Sequence, residues 1–351
     1  MGTIHSPESP QRTLLSKLFI PLSVFVCLLF IAYWLSPWAT PKIATFSAFV
    51  PGLGPYSFGS FKDIGIRWYG LAYLAGLVFG YFMVQRWSDM GRAPLRREEI
   101  QDFVLYSGLG MIIGGRLGYC LLYGLPDLLA HPLYLFKVWE GGMASHGGII
   151  GLGAGMGWFA YKRQRSFWIL GDIIAAGGTL GIGFGRMANF INGELPGKPT
   201  AVAWAWIFPK SAPGFDLDRT PLNVLIANAV PRHPSQLYAA VLEGFLLFAV
   251  LMWIHTRHRR PGLTFAWFLL LYGVGRFVGE FFREPDRGQP VFFGWMSKGQ
   301  LYTLPMLIGG IALMIWVMRR PARPELYAAP AAPVSPVSPV AAPPASPPQA
   351  R

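Results

Sequence analysis

Apolar residues along this chain come in long blocks, and polar residues gather in the short stretches between them. Eight blocks stand out, at roughly 18–37, 66–85, 103–123, 144–161, 168–185, 234–254, 262–282 and 301–318. About 20 consecutive apolar residues in a helix cross the hydrocarbon core of a bilayer. The pattern predicts an all-α polytopic membrane protein with about eight transmembrane helices. The first block is long for a signal-peptide core and no small-residue cleavage site follows it, so it reads as an uncleaved helix.

The polar stretches between the blocks predict an orientation. Arg86, Arg92, Arg96 and Arg97 follow the second block, Lys162, Arg163 and Arg165 the fourth, Arg257, Arg259 and Arg260 the sixth, and Arg319, Arg320 and Arg323 the eighth. The connection after the third block has only Lys137. Dense basic loops stay in the cytoplasm, which places both termini there and turns 186–233 outward as a small external subdomain. Residues 1–44 form an extension carrying an extra helix ahead of a core at 45–320. Ten of the 31 prolines fall in 321–351 among Ala, Ser and Val, a composition expected of a disordered cytoplasmic tail.

Small residues recur four apart at Gly110/Gly114, Gly147/Gly151, Gly153/Gly157 and Gly181/Gly185. That spacing lets membrane helices approach closely. No Walker A sequence accompanies these glycines, so they do not read as a phosphate loop.

Composition narrows the function classes. The chain is 53% hydrophobic and 13% charged, about half the charge of an ordinary soluble domain. The net charge of +13 sits in clusters flanking apolar blocks, a placement that suits anionic headgroups and not nucleic acid. Both cysteines, Cys27 and Cys120, lie inside apolar blocks and read as packing residues. No metal-ligand spacing, no H-E-x-x-H and no G-x-S-x-G occurs, and no cofactor is expected.

Ionisable groups inside membrane spans are costly unless paired or hydrated. Here they fall at one level, near the outer ends of six blocks: Arg67 and Tyr69, Arg116 and Tyr119, His146, Arg186 and Asn189, His233, and Arg276 and Glu280. Tyr272, Arg276 and Glu280 stand at i, i+4 and i+8 on one helix stripe. Arg186, Asn189 and Gly193 share a face if helical, with Glu194 close by. Arginine's planar fork matches phosphate oxygens, so the level suits an anionic phospholipid headgroup. A transporter, a lipid-binding scaffold or another headgroup transferase would share parts of this logic, although transporters place their polar groups nearer the midplane.

Six ordered segments resemble the prolipoprotein diacylglyceryl transferase family. They are Arg67-Trp68-Tyr69-Gly70-Leu71, Gly114-Gly115-Arg116-Leu117-Gly118-Tyr119, Gly141 through Gly148, the run from Gly185 to Gly197, His233-Pro234-Ser235-Gln236-Leu237-Tyr238, and Tyr272 through Arg283. The resemblance covers roughly 45–320. It implies a bacterial inner-membrane enzyme that moves diacylglyceryl from phosphatidylglycerol to the lipobox cysteine of a preprolipoprotein, with glycerol 1-phosphate leaving. Arg186 and Arg276 would then meet the phosphate, with Glu280 beside them, and His146 is the candidate base. Tyr69, Arg116, Asn189, Glu194, Gly197, Tyr272 and His233 would line the substrate site. His146 also has a bland reading as a helix-end histidine, and His233, beside Pro234, has a structural one.

Overall fold

The computed structural model describes residues 42–43, 56–58, 61–64, 68–137, 142–212, 220–284 and 291–327. The expected first span at 18–37, Arg67 and the segment 328–351 lie outside the described residues. Seven long helices are described: α1 (Trp68–Asp89), α2 (Arg97–Leu122), α3 (Ser145–Arg163), α4 (Phe167–Ile191), α5 (Ser235–Arg257), α6 (Leu263–Gly279) and α7 (Lys298–Met318). Helices α2, α4, α5 and α7 are each long and apolar enough to cross a membrane, and α6 is a shorter apolar helix. Large apolar side chains stay exposed along them, among them Ile112 and Leu121 on α2, Ile149 and Ile150 on α3, and Ile308 and Ile311 on α7. In water such faces would aggregate, whereas lipid solvates them. The protein is a multi-pass helical membrane protein.

Helix α4 is the central post, touching α1, α5 and α6 along its length. Its apolar side buries Ile169, Leu170, Ile173 and Leu180 against Trp87, Leu247, Leu251 and Ile254. Helices α2 and α3 form a separate pair, joined along a seam of glycines. A Cβ on Gly151 would lie 2.0 Å from the Gly110 carbonyl oxygen, and one on Gly114 would lie 2.4 Å from that of Gly147. Only hydrogen fits there, so two of the predicted small-residue pairs do the joining. Gly76 meets Gly181 in the same way between α1 and α4, while Gly153 and Gly185 face open space.

Two helices overrun their expected ends, α7 through a cap at its start. Helix α7 starts at Lys298, where the Ser297 hydroxyl accepts the Gln300 N–H and the Gln300 side chain accepts the Ser297 N–H. Helix α4 continues to Ile191, so Arg186 and Asn189 both lie on it.

The chain after α4 makes a small unit of its own. The two-residue strand Trp206–Ile207 pairs in parallel with Lys42–Ile43, and the helix Leu222–Asn228 packs Leu225 on Ala212, Ala229 and Ile207. Basic residues gather at the opposite end of the bundle. There Arg165 pairs with Glu99 at 2.6 Å, Arg163 reaches Asp102, and Arg97 meets Asp89. The segment expected to be a tail begins with an ordered turn: Pro324–Tyr327 folds back and buries Tyr327.

Candidate active site

Helices α4, α5 and α6 bring the site together. A close crossing sets their spacing, since Gly183 of α4 and Gly244 of α5 meet where a Cβ on Gly244 would lie 2.4 Å from the Gly183 Cα. At this crossing α5 contains a π turn, Ala240–Phe245. Such turns insert one extra residue into a helix and often mark functional sites. This one carries Glu243, whose side chain is only 1% exposed.

Glu243 stands between two arginines. Its Oε2 accepts from Arg186 at 2.8 Å, and its Oε1 lies 3.8 Å from the Arg276 guanidinium. Arg276 in turn holds Glu280 at 2.6 Å, and Arg283 reaches the same carboxylate oxygen at 3.0 Å. The other Glu280 oxygen accepts from the Ser297 hydroxyl at 2.9 Å. Gly299 leaves space for this carboxylate, since a Cβ there would lie 2.7 Å from it. Tyr272, one turn before Arg276, stacks on Phe268.

Three arginines thus share two buried carboxylates. The Arg186 Nε–H, buried, has no partner among the described residues. A narrow cleft opens on this cluster, with Arg186, Asn189, Gln236, Arg276 and Arg283 in its wall. Its guanidinium groups and the spare Arg186 donor suit an anion that brings its own oxygens.

One side of the cleft is a braced polar wall. The Tyr69 hydroxyl contacts Asn189 and donates to Glu194 at 2.8 Å. Gln236 donates to the Glu194 carbonyl, and the Ser235 hydroxyl to that of Leu195. These bonds tie the start of α5 to the chain leaving α4.

Other predicted residues stand outside the cleft. Arg116 is committed to the connection between α2 and α3, donating to the carbonyls of Leu135, Tyr134 and Gly142 and lying 4.8 Å from the Tyr134 ring. Gly197 is a backbone crossing: a Cβ there would meet the carbonyl oxygens of His233 and Phe282 at 2.4 and 2.7 Å. His233 sits in an aromatic nest, its Nδ1 3.0 Å from the Tyr238 hydroxyl and its ring against Phe282. Burial lowers its pKa, so it is neutral near pH 7. His146 is exposed at the start of α3, edge-on to Tyr302 of α7 with ring centroids 5.9 Å apart.

Glu243 was not among the residues expected from the sequence. The available signal was a single carboxylate inside the otherwise apolar run Ala239–Val250, which is expensive in a membrane without a partner.

Comparison with known proteins agrees with this geometry. Residues 55–316 match the family model described as prolipoprotein diacylglyceryl transferase. The chain is 45% identical over 265 residues to the phosphatidylglycerol–prolipoprotein diacylglyceryl transferase of Idiomarina loihiensis, covering 76% of this chain and 93% of that one. It is 41% identical over 279 residues to a protein of the same name from Vibrio cholerae, covering 80% and 97%, and 40% identical over 278 residues to that of Aliivibrio salmonicida, covering 79% and 91%. A match of this extent, on the helices that carry the arginine cluster, means that the chain belongs to the prolipoprotein diacylglyceryl transferase family.

Proposed function

We propose that this chain transfers the sn-1,2-diacylglyceryl group of phosphatidylglycerol to the lipobox cysteine of preprolipoproteins in a bacterial inner membrane. The cysteine sulfur attacks the sn-3 carbon of the diacylglyceryl group and a C–S bond forms. The bond from that carbon to the phosphate oxygen breaks, and glycerol 1-phosphate leaves with the bonding pair. The thiol proton goes to a base or to water.

The observation that carries this reading is the arrangement of Arg186 and Arg276 on either side of Glu243, with a spare buried donor on Arg186. Charge collects on the leaving phosphate during C–O cleavage, and fixed guanidinium donors in a low-dielectric cleft stabilise that charge without reorganising. Arg283 and Glu280 hold Arg276 in place. Tyr69, Asn189 and Glu194 orient the glycerol headgroup by hydrogen bonds. His146 is the candidate base. Its exposure near α7 suits an acceptor arriving from outside the bundle, and substrate binding has to bring the reacting thiol to it. The nucleophile belongs to the acceptor, and a thiol needs a base or a cationic field to become a thiolate.

The site faces the outer leaflet and the basic end faces the cytoplasm, following the arginine-rich loops. A reporter inserted near Pro213 reads external and one fused after Arg320 reads cytoplasmic. The direct test mixes purified protein with phosphatidylglycerol and a lipobox peptide. The expected result is release of glycerol phosphate together with a diacylglyceryl mass gain on the peptide cysteine. Folded protein that yields neither overturns the proposal.

A further inference from the structure

Far from the cleft, α4 carries a second buried acid. Asp172 is fully buried, one turn into the helix that ends at the arginine cluster. Its two oxygens accept the backbone N–H groups of Gly262 and Phe265, both at 2.8 Å. These groups belong to the first turn of α6, whose N-cap Gly262 has no side chain with which to cap it. The first N–H groups of a helix need acceptors, and a carboxylate there also meets the positive end of the helix dipole. Asp172 therefore caps α6 from another helix.

A third donor comes from beyond the family-matched region, which ends at residue 316. The Tyr327 hydroxyl donates to Asp172 Oδ2 at 3.1 Å. Tyr327 is 1% exposed and its ring meets His255 of α5. The turn Pro324–Tyr327 thus closes a knot of α4, α5 and α6, the three helices that supply Arg186, Glu243 and Arg276. Asp172 and Arg186 lie about 21 Å apart along one helix, at about 1.5 Å per residue. A straight, packed helix transmits a shift at one end to the other.

We infer that Asp172 and Tyr327 are positioning residues, a latch in which the C-terminal segment holds α6 in register on α4 and so fixes Arg276 relative to Arg186. The latch itself is read from geometry alone, while its effect on turnover rests on the reaction proposed above.

The test uses the full-length chain in detergent and in phosphatidylglycerol vesicles. Tyr327→Phe removes one hydroxyl and keeps the ring, so folding survives. It lowers Tm by roughly 2–4 °C and kcat by about threefold. Asp172→Ala strips the α6 cap and lowers kcat about tenfold or more. Asp172→Asn keeps one acceptor and recovers part of that loss. The apparent KM for phosphatidylglycerol stays within about twofold throughout, because the loss falls on the transition state. In the double variant Tyr327→Phe with Asp172→Asn, the Tm losses are less than additive. Parent-like Tm for Tyr327→Phe, or additive losses, overturns the latch. Lower Tm with unchanged kcat per folded molecule overturns the positioning role. Absence of transfer by the parent protein refutes the proposed reaction, and the Tm cycle still decides whether the latch exists.

Discussion

Arginines collect at both ends of this bundle, but at one end they pair across helix connections and at the other they line a cleft. At the basic end Arg163, Arg165 and Arg97 each have an acid, in Asp102, Glu99 and Asp89. At the other end Arg186, Arg276 and Arg283 divide Glu243 and Glu280 among them. The pairs at the basic end hold the connections between helices in place. At the other end the arginines line a cleft, and the Arg186 Nε–H left over there, without a partner among the described residues, is binding capacity. The same residue type therefore serves architecture at one end and chemistry at the other.

The strongest way to break this contrast is to keep the charge and remove the fork. Arg186→Lys and Arg276→Lys each lose transition-state stabilisation of about 2–4 kcal/mol, or roughly 30- to 1000-fold in kcat, in protein that still inserts and elutes as a single species. Arg86→Lys, exposed at the basic end, keeps its activity. Parent-like turnover in both site variants would remove the phosphate-fork argument.

A somewhat smaller effect comes from the shared acid. Glu243→Gln keeps an acceptor but removes the charge that holds Arg186 and Arg276 near each other. Turnover falls about tenfold or more, because two guanidiniums without their counter-ion separate. Steady-state kinetics on folded protein measures this, and an unchanged kcat would mean that the arginines are held by other contacts.

The basic end should respond in stability alone. Arg165→Met leaves buried Glu99 with the Arg96 backbone N–H at 2.9 Å and the more distant Arg96 guanidinium at 3.5 Å. The expected loss is about 1–3 kcal/mol of stability, seen as a lower Tm with kcat per folded molecule retained. The smallest effect belongs to Arg97→Ala. Its pair with Asp89 is roughly half exposed on both sides, so stability changes by at most about 0.5 kcal/mol. A large loss of turnover in either variant would dissolve the division between the two ends.

The helices and the level of the polar cluster were legible because hydropathy is a local property, read off consecutive residues. Arg186 and Asn189 on α4, and Arg276 and Glu280 at the end of α6, lie at one depth, which hydropathy reveals without any knowledge of contacts. Arg116 lies at that depth too, yet the chain turns back over it and takes its hydrogen bonds with the carbonyls of residues 134–142, a contact no helical spacing announces. Gly197 looked like part of a binding motif, whereas its constraint is the crossing of two other backbones. Glu243 escaped notice because its partners sit on other helices, and Tyr327 because a Pro/Ala-rich composition says nothing of one aromatic residue that finds a buried acid.

The π turn at Ala240–Phe245 has a consequence for how α5 could vary. It amounts to one inserted residue, and each residue of an α-helix turns the chain by about 100°. Deleting one position there would let α5 run as plain α-helix with the residues on either side keeping their angular phase, because the π turn absorbs the extra residue. The same deletion in the plain helix beyond it would rotate everything that follows. Leu247, Leu251 and Ile254 would stay against α4, while Glu243, inside the turn, would lose its place between the arginines. A single-codon deletion in this turn should therefore damage the site and spare the packing of the helix beyond it.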